Sequence, residues 1–208
     1  MNQPPSPATL TDRMRALTAG LTNRAGSTVH GWGIHPDTIT IVGLVVVAAA
    51  AVCIAAGQIQ LGGGLLVISL PLDALDGAVA RARLASKQER SDRFGAVLDS
   101  TLDRYADGLI FGALAYYFAG RGEGVNLLLA LASLMGSFVV SYVRARAGEA
   151  DLSVKIGWFS RFERVITLLL MLLVPPLLVV GLWVLAIGTN VTGVQRLWYV
   201  YQHLDKEA

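Results

Sequence analysis

Asp73, Asp76, Asp99 and Asp103 are the side chains best placed to do chemistry in this chain. They lie in the thirty-one-residue stretch DALDGAVARARLASKQERSDRFGAVLDSTLD, inside two segments that otherwise read as membrane helices. At about 100° per residue, Asp73, Asp76, Gly77, Ala80 and Arg81 share one side of the first helix, the glycine and alanine leaving room between the charges. Gly95, Asp99 and Asp103 line up likewise on the second. An ionisable group in hydrocarbon costs at least about 2.5 kcal/mol, so four carboxylates require a counter-charge. One reading pairs them with Arg81, Arg83, Arg93 and Arg104 at the membrane face. The other supplies a metal. Oxygen-only donors on two facing helices suit Mg²⁺, Mn²⁺ or Ca²⁺ and not a thiolate or imidazole metal. A hard cation beside carboxylates and an arginine points in turn to a phosphate substrate.

The elements that carry these residues follow from composition. With 208 residues, 54% hydrophobic and 15% charged, the chain is too apolar for a soluble domain of its size and reads as a polytopic membrane protein. The expected fold is all-α, six transmembrane helices in residues 37–208, preceded by an N-terminal arm over 1–36. Within that arm Leu10, Met14, Leu17 and Leu21 recur at helical spacing beside Arg13, Arg15 and Arg24, which predicts an amphipathic juxtamembrane helix. The first twenty residues lack the apolar run of a signal peptide. Spans are expected at about 37–56, 61–84, 92–119 and 124–146, and two more between Phe159 and Gln202, divided by Pro175-Pro176. Pro71 is expected to kink the second span, the lone Cys53 to be a small core residue, and Tyr116, Tyr117 and Phe118 to form an outer aromatic belt. Fifteen of the seventeen Lys and Arg fall in the N-terminal arm, the 81–93 loop, the 144–164 region and the C-terminal end. By the positive-inside rule those regions, both termini and the Asp cluster face the cytoplasm of a cell (inner) membrane protein. Basic density there also suits anionic membrane lipids, while no aromatic-interleaved motif supports binding to nucleic acid.

Asp73-x-x-Asp76-Gly77-x-x-Ala80-Arg81 followed by Gly95-x-x-x-Asp99-x-x-x-Asp103 resembles the signature of the CDP-alcohol phosphotransferases (CDP-alcohol phosphatidyltransferases), integral membrane enzymes of phospholipid synthesis. Thirteen residues separate Arg81 from Gly95, more than the family's usual spacing, and the surplus lies in the polar run Leu84 to Arg93. The resemblance implies that an acceptor hydroxyl attacks the β-phosphate of a CDP-lipid such as CDP-diacylglycerol and CMP leaves. It implies one or two Mg²⁺ or Mn²⁺ ions held by Asp73, Asp76 and Asp99 with Asp103 contributing, and makes Asp103 the general base. Gly77 and Arg81 resemble residues that contact the CDP portion, Ser91 or Asp92 completes that pocket, and Asp37, Thr38, Ile39 and Thr40 resemble the family's Pro-centred entry to the first helix, where the nucleotide binds. Helix capping accounts for Asp37 and Thr38 equally well.

Ser141-Tyr142-Val143-Arg144-Ala145-Arg146-Ala147, with Arg161-x-Glu163-Arg164, is similar to the branch that includes the phosphatidylinositol phosphate synthases, whose acceptor is inositol 1-phosphate. That likeness implies an acceptor-phosphate site from Arg144, Arg146, Arg161, Arg164 and Arg196, and the wider family a homodimer. Glycerol 3-phosphate is the alternative acceptor, because the Asp motif does not separate the two. A different class, a metal-ion or proton transporter, would need polar groups through both leaflets, yet residues 61–70 and 109–119 are apolar.

Overall fold

The computed structural model describes residues 36–70, 89–154 and 156–204. The N-terminal arm lies outside them, as do Asp73, Asp76, Gly77 and Arg81. The described chain is helical, without strands: α1 Pro36–Ala55, α2 Ile59–Leu70, α3 Glu89–Gly120, α4 Gly124–Glu149, α5 Arg161–Leu173 and, after a 3-10 turn at Pro175–Leu177, α6 Leu178–Leu204. Three stretches are long and apolar enough to cross a membrane, Asp37–Ala55, Gly124–Glu149 and Pro175–Leu204.

Several helix ends have a local cause. Pro36 opens α1 with its fixed φ, and Asp37 sits in the first turn, where the helix dipole favours a carboxylate. Gly57 ends α1 in the left-handed region at φ +83, with Gly57 N–H on Ile54 O and Gln58 N–H on Cys53 O at 2.9 and 2.8 Å. Gly122 ends α3 the same way, and Asp151, at φ 56, ends α4 with Leu152 N–H on Ala147 O. Val174, held extended before Pro175, stops α5. Between α3 and α4, Arg121 Nε donates to Glu123 Oε1 at 2.9 Å and Asn126 Nδ2 to Oε2 at 2.6 Å. These bonds, Arg121's first, hold the Glu123 carboxyl below its ordinary range.

The turns after α1, α3 and α5 gather at one end of the bundle. A Cβ on Gly57 would stand 3.6 Å from Tyr117, and one on Gly63 3.0 Å from Leu172. The starts of α1, α3 and α5 and the ends of α4 and α6 therefore meet at the other end. Between the two lies an apolar core that includes Ala50, Ile54, Leu66, Leu114, Phe118, Met171 and Leu185. α4 and α6 approach closely because Gly136 faces Thr189, where a Cβ would overlap the threonine hydroxyl, and Gly193 faces Val139. Asn190 Nδ2 crosses from α6 to Ala132 O at 2.9 Å. Large apolar side chains such as Val45, Val52, Met135, Val180 and Ile187 point outward instead, 57–69% exposed, as lipid-facing residues do.

Two expectations need correcting here. Phe118 is 1% exposed and belongs to the core, so Tyr116 alone of the three aromatic residues is fully outward. Cys53 is half-buried at the edge of the core rather than inside it.

Candidate active site

α3 carries Gly95, Asp99, Asp103 and Asp107 at four-residue steps, so all four climb one face of the helix. Gly95 lets α1 come near: a Cβ there would stand 3.5 Å from Asp37 Oδ1. Beyond it the three acids border a cavity of about 110 Å³ built from five helices. Thr40 comes from α1, Ser69 from α2, Arg104 from α3, Ser137 from α4, and Arg161 and Arg164 from α5. The rest of its wall is apolar, with Val47, Leu66, Phe111 and Leu168. A charged pocket thus continues into a surface fit for an acyl chain.

Asp103 lies between two arginines. Arg161 Nη2 donates to its Oδ1 at 2.8 Å from across the cavity, and Arg104 Nη2 to its Oδ2 at 3.3 Å. One turn on, Asp107 Oδ2 is 3.9 Å from Arg164 Nη1, which also donates to Ser137 O at 3.2 Å. The Nε groups of Arg104 and Arg164 are buried with no hydrogen-bond partner among the described residues. A buried donor left unmade costs about 1–3 kcal/mol, so this wall favours an added anion.

The donor chemistry fits a hard divalent cation. Asp99 and Asp103 present oxygen ligands to one cavity, and no sulfur or imidazole among the described residues lines it. Asp99 is in no ion pair among the described residues. Among the described residues no three potential ligands gather around one point. Asp99 and Asp103 are half of the expected set, and the other half, Asp73 and Asp76, lies outside the described residues.

Of the expected acceptor arginines, the cavity holds Arg161 and Arg164. Arg144 is exposed outside its lining, and Arg146 pairs with Glu149 on the surface. Arg196 is 5% exposed and acts as a tether: its Nε donates to Ile156 O at 2.9 Å and its Nη1 to Val140 O at 2.8 Å. Thr192 Oγ1 accepts Phe159 N–H at 2.9 Å in the same loop. Of the expected nucleotide residues, Thr40 lines the cavity, Asp37 abuts Gly95, Thr38 is exposed, Ile39 is buried, and Ser91 falls in the first turn of α3. Arg104, Ser69 and Ser137 were not anticipated as cavity residues. Arg104 had a visible signal, a cation directly beside Asp103; the two serines had none, since each bonds its own helix or offers only a backbone oxygen.

Residues 33–194 match the family model described as CDP-alcohol phosphatidyltransferase. The chain is 35% identical over 197 residues to the phosphatidylinositol phosphate synthase of Mycobacterium marinum, covering 90% of this chain and 82% of that one. It is 40% identical over 174 residues to the archaetidylinositol phosphate synthase of Methanothermobacter thermautotrophicus, covering 81% and 84%. The crystal structure of the Mycobacterium tuberculosis phosphatidylinositol phosphate synthase with CDP-DAG bound matches with a TM-score of 0.78 at 34% identity, over 86% of this chain and 93% of that one. The same enzyme in complex with manganese and citrate matches with a TM-score of 0.75, over 86% and 88%. With most of its length matched by the family model and by these relatives, the chain belongs to the CDP-alcohol phosphatidyltransferase family.

Proposed function

We propose that this protein is a metal-dependent phosphatidylinositol phosphate synthase, transferring the phosphatidyl group of CDP-diacylglycerol to inositol 1-phosphate with release of CMP. The observation that carries the reading is a single cavity in which Asp99 and Asp103 face Arg161 and Arg164. The acceptor's hydroxyl oxygen bonds to the β-phosphorus, the bond from that phosphorus to the CMP oxygen breaks, and the hydroxyl proton passes to the Asp103 carboxylate. A divalent cation, Mg²⁺ or Mn²⁺, held by Asp73, Asp76, Asp99 and Asp103, would neutralise the diphosphate and the departing CMP. Arg161 and Arg164 grip the acceptor phosphate, Arg144 and Arg146 lend positive charge outside the cavity, and Arg196 fixes the loop that presents Arg161. Asp37 to Thr40, with Gly77, Arg81 and Ser91, form the CDP side. The apolar wall receives the lipid.

The names of the relatives favour inositol 1-phosphate over glycerol 3-phosphate as acceptor. Six helices with short turns at one end, and basic residues concentrated toward the other, support six spans with both termini and the cavity cytoplasmic. The homodimer and the N-terminal amphipathic helix belong to this same reading.

The test is CMP release from CDP-diacylglycerol by the purified protein with Mg²⁺ or Mn²⁺, comparing the two acceptors and Asp103→Asn. Inositol 1-phosphate is expected to be preferred, and Asp103→Asn to lower transfer by about 10²-fold or more while the protein elutes as wild type. A variant of normal rate removes Asp103 as the base; preference for glycerol 3-phosphate changes the acceptor.

A further inference from the structure

We propose that Thr192 is a positioning residue for the acceptor: through the α4–α5 loop it sets where Arg161 and Arg164 stand in the cavity, and with that the affinity for a phosphorylated polyol. This rests on the transferase reading above and deepens its acceptor side. Gly188, Thr192 and Arg196 follow one another on α6 at four-residue steps, so they share one face of the helix. The loop before α5 runs along that face in the opposite direction. Ile156 O accepts Arg196 Nε at 2.9 Å, Gly157 lies against the Thr192 methyl, and the Phe159 ring covers Gly188, where a Cβ would overlap it.

Thr192 is the middle member of this row and holds the loop twice. Its Oγ1 accepts Phe159 N–H at 2.9 Å. Its methyl stands where a Cβ on Gly157 would fall, and Gly157 has φ +121, a conformation that glycine adopts without strain. The side chain is buried from solvent at 0% exposure, so no water replaces the hydroxyl if it is lost.

The hold passes directly into α5. Arg161 opens that helix two residues beyond Phe159, and Arg164 N–H donates to Ser160 O at 3.2 Å, so the first turn is built on the residue next to the fixed one. At the far end of α5, Met171 packs in the core against Gly181 of α6. Loss of the Thr192 bond therefore frees the end that carries the arginines and leaves the other end in place. Phosphate recognition by guanidinium forks depends on their geometry, so a displaced first turn weakens it. The lipid side of the cavity draws on α1 to α3, through Thr40, Val47, Leu66 and Phe111, and keeps its shape.

The experiment compares wild type with Thr192→Val, which keeps the shape and removes the oxygen, and with Thr192→Ser, which keeps the oxygen. CMP release with Mg²⁺ is measured against inositol 1-phosphate and, separately, against CDP-diacylglycerol. Thr192→Val is expected to raise the KM for inositol 1-phosphate about three- to tenfold, with kcat and the KM for CDP-diacylglycerol within about twofold of wild type. Thr192→Ser should bring the acceptor KM back to within about twofold of wild type. An unchanged acceptor KM in Thr192→Val overturns the proposal. So does a fall in kcat with a rise in both KM values, which is what a merely structural role produces. If Thr192→Val does not fold, Gly157→Ala decides on the same readings, because its Cβ presses on the Thr192 methyl and strains the loop. A further measurement needs no turnover: inorganic phosphate should raise the unfolding midpoint of wild type, and Thr192→Val should need about three- to tenfold more phosphate for the same rise. Wild type that responds to phosphate but makes no inositol lipid defeats the transferase reading, and the phosphate comparison then decides for or against Thr192.

Discussion

A carboxylate at every fourth residue gives Asp99, Asp103 and Asp107 one azimuth on α3 and three different depths, and depth separates what they do. Asp99 is outermost and has no ion-pair partner among the described residues, which leaves its oxygens for a cation. Asp103 is held between Arg161 and Arg104. Asp107 is innermost, a turn above the core residues Ile110 and Phe111, and faces Arg164, whose side chain is 12% exposed. Its role is to balance that cation rather than to bind metal. Asp107→Asn keeps the shape and removes the charge, so the Arg164 guanidinium loses its ion-pair partner among the described residues. We expect a loss of roughly 1–3 kcal/mol of stability, read as a lower unfolding midpoint in detergent, with the affinity for Mn²⁺ unchanged. An unchanged midpoint means that Ser137 O is sufficient support for Arg164.

Among the elements, the tight contact of α4 with α6 is what brings the cavity's α5 wall into place, because α6 also holds the 151–160 loop. Gly136 permits that contact, and a side chain there would overlap Thr189. Gly136→Val is therefore expected to destabilise the protein by about 1–3 kcal/mol and to lower transfer. Gly112→Ala, at a position open on all sides, is the control and should leave both unchanged within error. A Gly136→Val protein as stable as the control would mean that the two helices can separate without harm. Most of the described helices were legible in the sequence, since long apolar runs and the break at Pro175-Pro176 mark them independently of packing. The α4–α5 loop was not legible. Its hydrogen bonds run to Thr192 and Arg196, residues 33 and 40 positions away, and no local pattern predicts them. Arg196, which the family resemblance makes an acceptor-phosphate residue, has its Nε and Nη1 bound to carbonyls, a tie that no local pattern announces. Phe118 read as a belt residue for the same want of tertiary information: Tyr116 and Tyr117 beside it do face outward or partly outward, and helical rotation alone turns Phe118 inward.

For the whole molecule, the proposed reaction fixes which end must be wet on the cytoplasmic side. A phosphorylated polyol is a charged solute and has to reach Arg161 and Arg164 from water, so the end of the bundle where α3 and α5 begin and α4 ends must face the compartment that supplies it. α4 is 26 residues long, about 39 Å, and exceeds the roughly 30 Å of bilayer hydrocarbon. Arg121, just before it, and Glu149, its last residue, should therefore lie in different compartments. Both are exposed, with surface ion pairs of the kind worth about 0.2–1 kcal/mol and, for Arg121, a stacking contact over Tyr117, so either tolerates replacement. In a Cys53→Ala parent, Arg121→Cys should react with a membrane-impermeant maleimide on right-side-out vesicles, and Glu149→Cys only after permeabilisation. Labelling of both from outside would mean that α4 does not cross. The reversed pattern would place the Asp–Arg cavity on the outer face, and then the positive-inside assignment drawn from fifteen basic residues, and with it the cytoplasmic supply of acceptor, would both have to be abandoned.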